Sequence, residues 1–543
     1  MKKKLAFAFI LLSAFLIRVF GINWDQGFHL HPDERMLIMV AEKVNFFNNL
    51  NPDFFNYGSL PIYLLKGLSQ LIDLIFGKNL SNYAGMLTVG RSLSVFFDLI
   101  TICLIYKIGQ LLFKVNKIAL FSGLLYAIAF FPIQNSHFFV VDVFLNTLIT
   151  GLAYILISYF KSPSIKKIIV FSIVFAAMMA TKFTAIIFFP IIFFVIILKN
   201  VSFWKKIIIQ SLVFGFWFLV FYFAFMPYAF IEQTKFISDI KAQLKMNSDP
   251  YIFPYTLQYV STLPYLYYLK NIFLWGLGPV ISTLTVIGLF YLSLSSSDLI
   301  GRSRNMDSRL RGNDREKIIL FLIFYFLYFI VIGRSAVKFM RYMLPLYPFF
   351  VLLAGYGLYK LYEFYKLLAY ALIACALVWS LMFLNIYSFP HTRIAATDWI
   401  LKNIPDKSTL AVEHWDDRVP IYGGEKYNYE EMTLYEQPDN EIKWKVLNEK
   451  LIKSDYIIIA SNRLYIPLQR LNDCKKYKSC YPLTSQYYQK LFSEILGFKK
   501  VSEFSAYPGF GISNFKFQIN DDSADESFTV YDHPKIIIFK KND

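Results

Sequence analysis

Asn23 to Phe47 reads NWDQGFHLHPDERMLIMVAEKVNFF and follows directly on the first apolar segment of the chain. Pro32 suits the first position of a helix, and acids are favoured in a first turn, where Asp33 and Glu34 stand. Leu37, Val40, Ala41, Val44 and Phe47 recur at helical spacing, which predicts an amphipathic helix with one face in the lipid headgroup region. Adjacent helical residues point about 100° apart, so the two carboxylates are expected to serve different tasks, one as a base and its neighbour as a cap or positioning group. Taken alone, an acid pair after a proline is an ordinary helix start; the rest of the chain decides its weight.

Of the 543 residues, 56% are hydrophobic and 19% aromatic, with 57 Phe and 38 Tyr, and only 17% are charged. Long apolar runs recur along most of the length, the mark of a polytopic α-helical membrane protein rather than of a large soluble core. The net charge of +17 is no sign of nucleic acid. Residues 1–389 carry 34 Lys and Arg against 16 Asp and Glu, or +18, whereas residues 390–543 carry 21 against 22, or −1. The excess therefore lies in the apolar part, where positive charge fixes topology.

Eleven spans are expected, over 5–22, 91–112, 118–136, 140–160, 167–181, 184–198, 206–226, 273–297, 317–334, 343–359 and 367–387. Met1 to Gly21 has the basic start and apolar run of a signal peptide, but Arg18 interrupts it and no small-residue cleavage site follows, so it reads as an uncleaved first span. Residues 60–76 are apolar but carry Lys66, Gln70 and Asp73. If they crossed, the basic loops near Lys114, Lys161, Lys199 and Arg302 would all fall outside, against the positive-inside bias. They are placed along the outer surface, within a long external loop over 23–90. Residues 227–272, rich in Tyr and Pro, are expected to lie on the membrane, and 298–316 reads as a polar cytoplasmic linker.

With the N-terminus inside, Asp33, Glu34, Tyr57, Arg91, His137, Asp142, Lys182, Lys338, Arg341 and Tyr342 all gather at external span ends. A single Lys or Arg there is an ordinary snorkelling side chain; ten polar groups on one side favour a site. After about 388 the composition becomes soluble. Thr392–Asn403, Glu441–Ile452 and Tyr487–Leu496 read as helices, and Thr409–His414, Tyr456–Ala460 and Lys535–Phe539 as strands, which predicts a small external α/β domain over 389–543 beside a membrane domain over 1–388. Cys474 and Cys480 are close enough to form a disulfide if that domain faces an oxidising compartment.

An external acid among cationic side chains suits transfer chemistry on a charged lipid, with the carboxylate deprotonating a hydroxyl and Arg and Lys neutralising a phosphate. A proton-coupled transporter would place such groups mid-span more often than at span ends. His29 and His31 read as polar loop residues rather than metal ligands, and His414, Asp416 and Asp417 as a polar loop rather than a triad.

Five stretches, taken in order, resemble the bacterial family 39 glycosyltransferases. They are His31-Pro32-Asp33-Glu34 after the first span, Asn56-Tyr57-Gly58-Ser59-Leu60-Pro61, Gly90-Arg91-Ser92, Ala180-Thr181-Lys182-Phe183-Thr184, and Lys338-Phe339-Met340-Arg341-Tyr342-Met343-Leu344-Pro345. The end, Val530-Tyr531-Asp532-His533-Pro534 before a strand, is similar too. These are relatives of the dolichyl-phosphate-mannose protein mannosyltransferases and of the aminoarabinose lipid A transferase, and the resemblance implies the membrane fold called GT-C.

It also implies sugar transfer from a polyprenyl-phosphate donor on the outer face of the membrane, with inversion, to a protein, lipid or glycan acceptor. Asp33 matches the family's likely base, Glu34 its acidic neighbour, and Asp142 resembles a second family acid. Arg91, Lys182, Lys338 and Arg341 are similar to basic positions facing the lipid phosphate, with Tyr57 and Tyr342 beside them. No metal cluster is expected from the residues, although some GT-C relatives use a divalent cation near the acid. Where the aminoarabinose transferases have a lysine and two prolines, this chain has Tyr57-Gly58-Ser59-Leu60-Pro61, which argues against aminoarabinose or lipid A as substrate. The expected location is the bacterial inner membrane, N-terminus cytoplasmic and tail extracytoplasmic. A lipid-linked sugar flippase or other transporter predicts pseudo-repeated halves, and no internal repeat is present; a scaffold presenting the tail predicts that the external acids are dispensable.

Overall fold

The computed structural model describes residues 2–297, 313–512 and 515–542. Most of the expected linker over 298–316 lies outside the described residues. The chain divides into two compact units, one of residues up to 22, 32–244 and 263–381, the other of 23–31, 245–262 and 382 onward.

The first unit is helical. Its helices are α1 (Lys2–Val19), α2 (Pro32–Lys43), α3 (Leu60–Phe76), α4 (Tyr83–Phe113), α5 (Asn116–Ala127), α6 (Phe130–Ser136), α7 (Val141–Lys161) and α8 (Ile165–Met179). There follow α9 (Phe189–Asn200), α10 (Trp204–Phe225), α11 (Gln233–Ser248), α12 (Gly278–Ser297), α13 (Asn313–Gly333), α14 (Tyr347–Phe364) and α15 (Lys366–Leu384). Among the described residues, seven helices are long and apolar enough to cross a membrane, beginning at 83, 141, 183, 204, 316, 340 and 366. The pair α5 and α6, bent by 57°, forms an eighth segment. The other expected spans are also helices: α1 carries four basic residues, α8 has 15 residues, and α12 is apolar only over a shorter stretch. The structure contains helices of the membrane-spanning kind throughout this unit.

Small residues set the packing. A Cβ on Gly288 would stand 1.9 Å from the Leu353 carbonyl oxygen, and one on Gly357 would stand 2.4 Å from that of Leu284. The two glycines thus bring the backbones of α12 and α14 together, the usual solution where apolar burial gives no preference for one helix pair over another.

Two local expectations change. The apolar face of α2 points into the protein and not to headgroups: Leu37, Ala41 and Val44 are wholly buried, with α2 packed on α3 and α4. It is Met36 and Met39 that are exposed, while Phe47 lies beyond the helix. The loop over 227–272 is largely helical, and its central part belongs to the second unit, where Leu257 and Val260 sit in a core with Leu447, Ile457 and Phe539.

That unit is built on a five-stranded sheet in the order β2-β1-β3-β7-β4, from β1 (Thr409–Glu413), β2 (Asn428–Met432), β3 (Tyr456–Ile459), β4 (Phe498–Phe504) and β7 (Ile536–Lys541). A separate hairpin joins β5 (Gly509–Ile512) to β6 (Phe515–Gln518). β1 pairs parallel with β2 and β3, whereas β7 runs antiparallel to β3 and β4. Both faces of the centre are covered. Ala411, Ile457 and Phe539 face α17 (Glu441–Lys453) and α18 (Pro482–Phe492), and Leu410, Ile458 and Ile538 face α16 (Thr392–Asn403). Cys474 and Cys480 are joined by a disulfide.

His29 and His31 are buried here, His31 with its ring 4.1 Å from that of Tyr531. Burial replaces the polar loop expected for them. His533 is buried between two carboxylates, Nδ1 lying 2.5 Å from Asp532 Oδ1 and Nε2 lying 2.9 Å from Asp521 Oδ2. Tyr387 donates to the other oxygen of Asp532 at 2.7 Å. Burial by itself would lower the imidazole pKa, but the two aspartates outweigh it and raise it to about 10 from an ordinary 6.5. A folded pKa above the unfolded one gives stability that is complete below pH 6.5 and fades as pH rises toward 10. Thermal unfolding of this unit is therefore expected to move to lower temperature between pH 7 and pH 10, and His533→Gln should flatten that slope; an unchanged slope in the variant would assign it to other groups.

Candidate active site

The acid pair opens α2 because Pro32 starts the helix there, and the 100° between neighbours sends the two carboxylates to different partners. Glu34 is buried and holds Arg91 of α4 through both oxygens, with Nε at 3.0 Å and Nη2 at 2.7 Å. It also accepts from the Phe139 backbone N–H at 2.9 Å, while Arg91 Nη1 donates to the Ile22 carbonyl at 2.8 Å. A bidentate pair of this kind fixes orientation as well as charge. Arg91, expected to face a lipid phosphate, is committed to Glu34.

Asp33 turns the other way. Its Oδ2 lies 2.9 Å from Arg341 Nη2, and Arg341 Nε stands 3.7 Å from Asp142 Oδ2. The second oxygen of Asp142, at the start of α7, accepts from Lys182 Nζ at 2.8 Å. Lys182 stands over the rings of Tyr342, at 4.5 Å, and Tyr57, at 5.9 Å, within cation–π reach. Four segments far apart in sequence thus build one chain of charges, Asp33–Arg341–Asp142–Lys182. Two positive and two negative side chains cancel. Asp33 is the most open of the four, 24% exposed against 3% for Asp142.

Backbone contact brings two of the sequence stretches together. Gly58 N–H donates to the Thr181 carbonyl at 3.0 Å and Leu60 N–H to the Ala180 carbonyl at 3.0 Å. A Cβ on Gly58 would fall 1.9 Å from the Ala180 oxygen, so this residue has to be glycine for the strand of chain to lie there. The seat presents Tyr57 beside Lys182. Burial, and then the negative charge of Asp33, raise the Tyr57 phenol well above its ordinary pKa, with Arg341 acting against them.

Lys338 is buried and donates to the Ala336 carbonyl at 2.9 Å, and burial pulls its ammonium below the ordinary pKa. Among the described residues it has no carboxylate within ion-pair distance. Three residues beyond it in sequence, Arg341 stacks on Phe339 at 4.5 Å, and the Tyr342 carbonyl accepts from Tyr328 at 2.7 Å. His137 lies apart from the cluster, its ring nitrogens 2.9 and 2.8 Å from the Ile133 and Phe20 carbonyl oxygens.

A second buried ion pair was not expected from sequence. Arg18 Nε lies 2.6 Å from Asp98 Oδ2, and Tyr126 donates to Asp98 Oδ1 at 2.6 Å, joining α1, α4 and α5. Among the described residues no three His, Cys, Asp or Glu side chains converge as a metal site requires. Asp33 and Asp142 both face the Arg341 guanidinium, and that donor set does not fit a divalent ion.

Residues 74–228 match the family model described as dolichyl-phosphate-mannose-protein mannosyltransferase. The apo oligosaccharyltransferase of Archaeoglobus fulgidus superposes with a TM-score of 0.50 at 12% identity, over 96% of this chain and 75% of that one. ArnT from Cupriavidus metallidurans, bound to undecaprenyl phosphate, superposes with a TM-score of 0.50 at 13% identity, over 86% and 94%. No curated protein sequence matches. The fold is that of the GT-C membrane proteins. The model that matches over 74–228 describes relatives of the family that the sequence stretches resemble.

Removing one partner of a buried ion pair leaves a bare charge and costs about 3–5 kcal/mol, whereas replacing both partners costs far less. Glu34→Gln is therefore expected to lower the unfolding temperature of the purified protein sharply, and Glu34→Gln with Arg91→Met to regain most of the loss. A double variant as unstable as the single one would show that the pair acts through something other than its charges.

Proposed function

We propose that the protein is an integral membrane glycosyltransferase that moves a sugar from a polyprenyl-phosphate-linked donor to an acceptor hydroxyl, with inversion at the anomeric carbon. The observation that carries the reading is the charge chain Asp33–Arg341–Asp142–Lys182, balanced within itself, with an unbalanced buried ammonium, Lys338, on the same segment as Arg341. The GT-C fold supports it, as does the undecaprenyl phosphate held by the ArnT structure.

Asp33, the open end of the chain, is the base. It takes the proton of the acceptor hydroxyl as that oxygen bonds to the anomeric carbon, and the bond from that carbon to the phosphate oxygen breaks. The lipid phosphate leaves with the electron pair. Lys338 is suited to receive it, because a buried cation without a carboxylate is stabilised by an arriving anion. Arg341 and Lys182, both already on carboxylates, hold Asp33 and Asp142 in place and add positive potential. Glu34 and Arg91 position the start of α2. Apolar side chains of the spans would hold the polyprenyl tail.

The same reading sets the site on the outer face of a bacterial inner membrane, with the N-terminus cytoplasmic. The split of +18 against −1 between the two parts of the chain supports that orientation, as does the Cys474–Cys480 disulfide.

Sugar transfer from polyprenyl-phosphate sugars should fall by about 10²–10⁴-fold in Asp33→Asn with donor binding kept, the range for a positioned acid–base group. Lys338→Met should instead weaken donor binding. Full turnover in Asp33→Asn would remove it from the chemistry, and no transfer by the unaltered protein with any such donor would overturn the reading.

A further inference from the structure

The second unit carries an aromatic surface that the charged cluster does not use. It lies at the carboxyl end of β1. The strands that follow β1 in sequence, β2 and then β3, lie on opposite sides of it, so the strand order reverses there, and in open α/β sheets such a point opens a crevice where ligands bind. The residue placed there is Trp415. It holds φ at +76°, a region that bulky side chains rarely adopt, and its side chain is 40% exposed. Arg463 donates from Nη1 to the Trp415 carbonyl at 3.5 Å and from Nε to Glu526 at 2.6 Å. The indole N–H and the remaining guanidinium N–H groups have no partner among the described residues.

Other rings extend the surface on both sides. Tyr435 stands edge-on to Trp415 at 5.7 Å and lies nearly parallel to His414 at 6.2 Å. Phe253 approaches from the other side at 6.3 Å, stacked on Tyr255 at 5.3 Å. An aromatic wall beside a half-engaged guanidinium matches one ligand chemistry. A pyranose ring presents a face of C–H bonds, positively polarised toward the negative face of an aromatic ring. Its hydroxyls would meet the free N–H groups of Arg463 and the indole. A purely apolar partner would leave those donors unused, and a bare anion would gain nothing from the rings.

We propose that the carboxyl end of β1 is a carbohydrate-binding subsite, with Trp415 as the stacking platform and Arg463 as the hydroxyl-binding group. The subsite stands on geometry independent of the transfer chemistry. The sugar it holds belongs either to a free or protein-borne glycan or to a lipid-linked one, and the probes separate the two.

The full chain, exchanged into an amphipol because alkyl maltosides carry sugar headgroups, is titrated with mannobiose, cellobiose, chitobiose and maltose, and separately with a polyprenyl-phosphate sugar. Binding of at least one probe is expected at millimolar concentration or below. Trp415→Ala should weaken it about tenfold, the worth of one aromatic face. Trp415→Tyr should keep part of the affinity, and Asp33→Asn should bind the soluble probes as the unaltered protein does. Loss confined to the soluble probes assigns the subsite to a glycan; loss confined to the lipid-linked sugar assigns it to that sugar. No binding by any probe, or equal binding by the unaltered protein and a Trp415→Ala variant with an unchanged unfolding temperature, would overturn the proposal.

Discussion

A charge buried among apolar side chains is costly unless it is paired, and buried ion pairs tie the helical unit together. Arg18 with Asp98 ties α1 to α4, and Glu34 with Arg91 ties α2 to α4. Both pairs are closed, each partner almost wholly buried and further satisfied by carbonyls, a phenol or a backbone N–H. The third, Asp33–Arg341–Asp142–Lys182, uses the same chemistry but ends on a carboxylate that remains in part open. Closed pairs give position, and the open end leaves one carboxylate oxygen within reach of solvent. The contrast depends on burial, because exposed ion pairs of the same length contribute little.

Some of this was legible in the residues. The angular separation of neighbours on a helix predicted that Asp33 and Glu34 would part company, and they do. Arg91 shows the limit of that reasoning. Like Lys182 and Arg341 it stands at a span end and meets a carboxylate, and nothing local shows which one, in its case a glutamate 57 residues away. Asp98 lies inside an apolar run that carries no local sign of its partner, Arg18, 80 residues away in sequence. The apolar stripe of α2 is plain in the sequence, yet periodicity shows only that a face is buried, not whether lipid or protein buries it.

The second unit divides along the same line. β1, β3 and β7 are central strands covered on both faces, so all three read in the sequence as short apolar runs. β2 and β4 are the edges of the sheet. Asn428–Met432 buries little but its last residue, and Phe498–Phe504 exposes both lysines, so neither has the pattern of a strand. Exposed, charged edges of this kind protect a sheet from pairing with another chain, and the same property hides them from pattern reading.

The seat of Tyr57 adds a different constraint. The contact between Gly58 and Ala180–Thr181 is made by main-chain groups, while Phe55 and Leu60 on either side pack with Ala180 in an apolar cluster. A sequence can signal such a contact only through the absence of a side chain, and a glycine beside a tyrosine looks like any turn. The consequence is that Lys182 and Tyr57 are placed by backbone geometry, which admits no methyl group, while the charges that face Asp33 are placed by side chains, which have rotamers to adjust. A side chain added at Gly58 would therefore displace both elements at once, whereas the side chains around Asp33 and Arg341 have room to adjust.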